Sequence, residues 1–287
     1  MTPRLGSYQS SLPFAKDLLD FWFTRFPRWY LFVEERREWQ NWDKRVYLSL
    51  IERGDVVLDI GANVGAHTVA FSHLVGKRGR VFAFEPVPVN VERLRQTVQR
   101  RSRYANISIV PRAVGNPAGV AERVMVKVPG DDLTQASLTP HSAGSWEGNP
   151  DLHQYPTLLT SIDAQMAKAH VECVDFVKID VEGGELGVIQ GAKRTLTRSG
   201  PLFYCEVYEK WQASFGYTPS DLFEFVQSLG YTEARIIRSG RIHTLRLGEI
   251  VPGGLFDTSA DVLFATPKYA TRLARFDSRY RAQNRPA

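Results

Sequence analysis

The feature that most constrains this chain is the run Val56-Val57-Leu58-Asp59-Ile60-Gly61-Ala62-Asn63-Val64-Gly65-Ala66-His67-Thr68. Its start is apolar, β-branched and of strand length, it meets an acid and two glycines, and Val64 to Val75 then reads as a helix. Strand, tight loop and helix N-terminus therefore follow one another directly. Such a junction turns backbone N–H groups and the positive end of a helix toward a ligand, the arrangement nucleotide-type ligands use.

The rest of the chain repeats the unit. Arg80-Val81-Phe82-Ala83-Phe84-Glu85-Pro86 predicts a second buried strand closing on an acid, and Pro88 to about Gln99 a helix with Val91, Leu94 and Val98 on one face. Ile107 to Val110 predicts a third strand, Val174 to Asp180 a fourth, and Pro201 to Val207 a fifth. Strands alternating with helices indicate an α/β fold with a mostly parallel sheet and helices on both faces. Thr218-Pro219-Ser220-Asp221 is a helix start, with an N-cap, a proline and a capping acid, and Gly230 is its stop. Ala234 to Ile237 and Asp261 to Ala265 predict two further strands pairing antiparallel at one edge.

Three segments depart from this rhythm. Residues 1–54 form an aromatic-rich helical segment, with Phe21, Trp22, Phe23, Phe26, Trp29, Tyr30, Phe32, Trp39 and Trp42, that serves as packing or as a lid. The main domain spans 55–267 and contains a loop insertion at about 116–155. Within it Val124 to Val128 suggests a short strand and Thr134 to Pro150 is polar and aperiodic. His141, Trp146 and His153 in this region either line a substrate pocket or belong to a surface loop. A helix begins at Thr160 or Ser161 with Asp163 as capping partner, and residues 268–287 form a basic tail.

Composition narrows the class. The 287 residues carry a net charge of +5, which permits a nucleic acid or acidic partner but fits solvated surface charge better. Two cysteines without CxxC spacing argue against a disulfide scaffold or structural zinc and fit a reducing cytoplasm. Neither a signal peptide nor an apolar run of about 18 residues is present, so the expectation is a cytoplasmic protein with at most peripheral membrane contact.

The ligand follows from the loop. A dinucleotide site needs G-x-G-x-x-G, whose middle glycine makes room for a pyrophosphate. Here Gly61-Ala62-Asn63-Val64-Gly65 lacks it, and Asp59 adds a negative charge that suits a cationic ligand. S-adenosylmethionine, with its ammonium and sulfonium groups, fits better. Glu85, about twenty residues beyond Gly65, stands where an acid closing the second strand bonds ribose hydroxyls. Lys178, Asp180 and Glu182 alternate on one face at the end of the fourth strand, where charge is costly unless something uses it.

Asp59 to Gly65, Phe84-Glu85-Pro86 and Lys178-Ile179-Asp180-Val181-Glu182-Gly183-Gly184-Glu185 together resemble the signature set of FkbM-type class I methyltransferases, over roughly Asp55 to Tyr231. Gly184 stands where that family often has alanine. The resemblance implies a Rossmann-like, seven-stranded methyltransferase fold, S-adenosylmethionine as donor, and O-methylation of a hydroxyl on a sugar, glycolipid, polyketide or similar metabolite. It implies that Asp59, Gly61, Asn63 and Gly65 hold the methionine part, Glu85 the ribose, and that Asp180 adjoins the cofactor.

An alcohol is a weak nucleophile, so a base or a divalent cation has to help it. Asp180, Glu182 and Glu206, at the carboxyl ends of neighbouring strands, are the candidates for either role. Glu182 and Glu185 could equally serve the first turn of a helix. His141 and His153 are the candidate histidine bases, while His67 belongs to the first helix near the cofactor. The alternatives are an RNA or protein methyltransferase, motivated by the arginine clusters, and a non-catalytic nucleotide-binding protein of the same fold.

Overall fold

The computed structural model describes residues 42–280 except 120, 121, 143, 150, 240, 250, 252 and 253. In chain order α1 (Trp42–Leu50) leads to β1 (Val56–Ile60), α2 (Ala66–Val75), β2 (Arg80–Phe84), α3 (Pro88–Arg101) and β3 (Ile107–Val110). Then come β4 (Ala113–Val114), β5 (Glu122–Pro129), β6 (Leu152–Thr160), α4 (Ile162–Lys168), β7 (Phe176–Ile179), α5 (Glu185–Gly191), α6 (Lys193–Ser199) and β8 (Leu202–Val207). The remainder is α7 (Glu209–Ser214), α8 (Pro219–Ser228), β9 (Glu233–Arg238), β10 (Arg241–Arg246), β11 (Ala260–Ala265) and α9 (Ala270–Tyr280).

The main sheet has the order β10-β9-β11-β8-β7-β1-β2-β3. From β8 to β3 every neighbour is parallel, whereas β11 runs antiparallel to both β8 and β9. This is the expected Rossmann-like methyltransferase sheet with one strand more. The eighth strand, β10, pairs antiparallel with β9, and its polar sequence hid it: it is an edge strand, largely exposed.

Alternation along the buried strands builds two cores. Leu58, Ile60, Phe82, Phe84, Val177 and Ile179 face α4, α5, α6 and α8, through residues such as Met166, Ile189, Leu196 and Leu222. Val57, Val81, Phe176 and Tyr204 face the opposite way, against Phe71 and Leu74 of α2, Tyr47 and Leu50 of α1, and Leu273 and Phe276 of α9. Parallel strands covered on both faces keep ligand chemistry at their carboxyl ends, where side chains leave the core.

Three expectations need correction. The region about 116–155 is not simply a loop insertion, because β5 pairs antiparallel with β6 from Glu122↔Leu159 to Pro129↔Leu152, and β4 lies parallel to β6. Strand β6 was illegible because Pro156 interrupts it and most of it is only partly buried. Asp163 does not cap its own helix. Ser161 does so, accepting from Ala164 N, while Asp163 accepts from Arg194 N at 2.9 Å and Thr195 N at 2.8 Å and thus caps α6. The basic tail beyond Pro267 contains α9, which docks by burying Leu273, Phe276 and Tyr280. Arg272 of that helix holds Asp55 at 2.6 Å and Glu52 at 3.1 Å. Most of the aromatic segment, residues 1–41, lies outside the described residues.

Candidate active site

At the carboxyl ends of β1, β2 and β7 the chain encloses a cavity of about 610 Å³, within the range of small-molecule sites. Gly61, Asn63, His67 and Glu85 line one wall, and Lys178, Asp180 and Glu182 the other. Ser137 and Leu138, between β5 and β6, and Tyr217, before α8, complete the lining.

The first wall is locked by its own backbone. Gly61 has φ +81°, and a Cβ there would stand 1.7 Å from the carbonyl oxygen of Asp180. Gly61 N and Ala62 N donate to Phe84 O at 3.0 and 2.9 Å, and Asn63 N donates to Glu85 Oε2 at 2.8 Å. Gly65 N donates to Ala62 O at 2.9 Å, and a Cβ on Gly65 would meet Leu94 at 2.4 Å. These N–H groups are used inside the protein, so this loop does not offer the cradle a pyrophosphate requires.

Glu85, only 3% exposed, also accepts from Val87 N at 2.9 Å and Asn90 Nδ2 at 3.4 Å. Burial pushes its carboxyl up to about 7, against the pull of those hydrogen bonds. Asp59 lies elsewhere. Strand alternation turns it away from the cavity toward α2, where its Oδ2 accepts from Thr68 Oγ1 at 2.5 Å. Of the residues expected at the cofactor, Gly61, Asn63, Glu85 and Asp180 line the cavity, while Asp59 and Gly65 support it from behind.

The second wall gathers acids. Asp180 N donates to Ile60 O at 3.0 Å, which ties the wall to β1, and Lys178 Nζ donates to Asp180 Oδ2 at 3.0 Å. Carboxylate oxygens of Asp180, Glu182 and Glu206 lie within 4.8 Å of one another. Burial, and then the neighbouring carboxylates, push Glu182 well above the usual range. Burial and Asp180 raise Glu206 to about 7, although Ser259 Oγ donates to it. Glu185 stands apart from this group. Its Oε1 accepts from Gly183 N at 3.0 Å in the turn leading into α5, so it serves the start of that helix, and burial raises it to about 7.

The histidines separate clearly. His67 lines the cavity and meets Tyr47 edge-on at 5.5 Å. His141, 7% exposed, stacks on Trp211 at 5.6 Å and meets Trp146 edge-on at 5.2 Å, outside the lining. Burial lowers it to about 4, so it is neutral at neutral pH. His153 is exposed on β6, 3.8 Å from Asp151. Neither candidate histidine base is a lining residue, although His141 packs 6.1 Å from Phe215, which is. Sequence reasoning missed Ser137, whose Oγ donates to Glu182 O at 2.9 Å, and Tyr217, whose Oη lies 2.8 Å from Gly183 O. No local pattern marks either residue, because both arrive through long-range packing.

The methyltransferase FkbM domain matches this chain over residues 59–233. The chain belongs to the FkbM methyltransferase family. Two relatives share its sequence at 29% identity. One is the 2-O-methyltransferase NoeI of Sinorhizobium fredii, matched over 54% of this chain and 65% of that protein. The other is the hexuronic acid methyltransferase AglP of Haloferax volcanii, matched over 53% and 56%. The chain thus spans between about half and two thirds of the length of these relatives. The crystal structure of an FkbM methyltransferase from Methylobacillus flagellatus superposes with a TM-score of 0.44 and 15% identity, over 87% of this chain and 58% of that one.

Proposed function

We propose that the protein is an S-adenosylmethionine-dependent O-methyltransferase that methylates a hydroxyl of a sugar, a glycolipid or a similar small metabolite. The observation that carries this reading is the pair of facing walls, a loop closed to phosphate on one side and a group of carboxylates on the other. The residues suit the donor. Buried Glu85 and the nearby Asp180 and Glu182 favour a cationic ligand, and Glu85 Oε2 accepts only one hydrogen bond, from Asn63 N, which leaves it free to accept a ribose hydroxyl.

S-adenosylmethionine, when bound, supplies a methyl group on a sulfonium leaving group. Gly61 and Asn63 shape the floor beneath it, and Glu85 orients the ribose end. Asp180 would accept the proton of the acceptor hydroxyl, so that its oxygen could take the methyl carbon while the carbon–sulfur pair returns to sulfur. Orientation supplies much of the acceleration in such an in-line displacement, and Lys178 helps by fixing the Asp180 carboxylate.

The name of AglP, a hexuronic acid methyltransferase, favours a sugar-type acceptor, and that of NoeI, a 2-O-methyltransferase, favours oxygen as the methylated atom. RNA is less favoured, since Arg272 and Arg275 near the C-terminus are engaged by Glu52 and Asp55. No described helix is long and apolar enough to cross a membrane. Two cysteines without CxxC spacing support the cytoplasm as the place of the reaction. Calorimetry with S-adenosylmethionine should show saturable binding, and labelled donor should transfer methyl groups to uronic-acid or neutral glycosides and not to purified RNA. Absence of donor binding would overturn the proposal, and salt-sensitive transfer to RNA would replace the acceptor class.

A further inference from the structure

We infer that Asp180, Glu182 and Glu206 form a binding site for a hard divalent cation, Mg²⁺ or Mn²⁺, on the acid wall of the cavity. Three separate positions converge here: the residue after β7, the turn before α5 and the body of β8. Their oxygens come within 4.8 Å of one another, close enough to share one ion.

The hydrogen-bond inventory supplies an independent reason. Asp180 receives Lys178 Nζ, and Glu206 receives Ser259 Oγ. Among the described residues the Glu182 carboxylate receives no hydrogen bond, and its Oε2 is buried without a partner. A carboxylate oxygen removed from water and given no donor is costly, so a ligand belongs beside it. With all three acids ionised, as ligation of a dication requires, Lys178 offsets one negative charge and the two that remain match the ion. An all-oxygen donor set selects a hard ion over zinc or copper, and three protein ligands leave coordination positions for water or a substrate hydroxyl.

Use of the ion rests on the methyltransferase reading, but its binding does not. A dication at this wall would lower the pKa of an acceptor hydroxyl and so ease the passage of its proton to Asp180 as the oxygen bonds the methyl carbon and the donor sulfur keeps the electron pair.

The test uses the full chain after chelator treatment, with Mn²⁺ binding followed by electron paramagnetic resonance and thermal unfolding followed with and without Mn²⁺ or Mg²⁺. Wild type should bind one Mn²⁺ per chain and melt at a higher temperature with it. Glu182→Gln and Glu206→Gln should each weaken binding by about tenfold or more. Asp151→Asn, a change at an exposed acid, should leave it unaltered. Glu182→Gln removes a charge from a crowded group, so without metal it should melt at or above the wild-type temperature, which shows that weakened binding is not a folding failure. The inference is overturned if wild type takes up no Mn²⁺ at millimolar concentration, or if both glutamine variants bind as wild type does. Donor calorimetry on the same samples keeps the two readings apart. Donor bound without Mn²⁺ defeats the cation site alone, whereas Mn²⁺ bound without donor defeats the methyltransferase reading alone.

Discussion

The loop wall from Gly61 to Glu85 and the acid wall of Asp180 and Glu182, with Glu206 next to it outside the lining, meet at one cavity but are held in different ways. On the loop wall the N–H groups of Gly61, Ala62, Asn63 and Gly65 all bond within the protein, and Glu85 accepts from three donors. On the acid wall, the Glu182 carboxylate accepts from none of the described residues, and Asp180 and Glu206 have one donor each. A self-satisfied wall is preorganised, so a ligand meets it as a fixed shape. An under-bonded wall reaches its best state only when something else contributes, whether a proton, a cation or a substrate group. One wall therefore suits an invariant donor, and the other the chemistry of the step.

The largest effect should come from attacking the fixed wall. Gly61→Ala places a methyl 1.7 Å from Asp180 O at a residue with φ +81°, so β7 or the loop must move. We expect a loss of about 2–4 kcal/mol in urea unfolding and no calorimetric donor binding. A stable variant with normal binding would show that this wall is not locked. Asp180→Asn probes the other wall. It should leave donor affinity within about threefold while lowering turnover by about 10²- to 10⁴-fold. Equal losses in binding and turnover would erase the division of labour between the walls.

The smallest effect concerns pH. Glu85, Glu185 and Glu206 are raised from 4.5 to about 7 in the folded chain, so the native state keeps protons that the unfolded chain has already released. Their stabilising contribution is complete below about pH 4.5 and is lost as pH rises toward 7. The ligand-free melting temperature should therefore lose this contribution across that window. Glu206→Gln should remove about one proton from the linkage, giving a shallower fall, and an unchanged slope would show that Glu206 is ionised throughout.

Much of the parallel half of the sheet could be read in advance because its signals are local. The bounds of β1 and β3, the glycine loop, and the capping box joining Thr218 and Asp221 all agree with the structure. Asp180, Glu182 and Glu206 were legible as acids at neighbouring strand ends, but their approach to within 4.8 Å was not. What escaped depends on distant partners. Asp163 caps a helix that begins about thirty residues later, β6 and β10 are polar because one side meets solvent, and α9 hides an apolar face within a basic sequence. The side to which Asp59 turns was not legible, because an acid at a strand end can turn to either face, and here it bonds Thr68.

The hydrogen bond from Ser137 to the carbonyl of Glu182 has a consequence for how such an enzyme could change its taste. Ser137 belongs to the stretch between β5 and β6, which lies outside the parallel core and can be rewritten without disturbing the sheet. Its hydroxyl nevertheless clasps the turn that carries an acid of the reactive wall. A new acceptor acquired by remodelling that stretch would thus alter both what enters the cavity and how the acid beside it is aimed, and through Leu133 O, which accepts from Asn90 beside Glu85, it would reach the donor side as well.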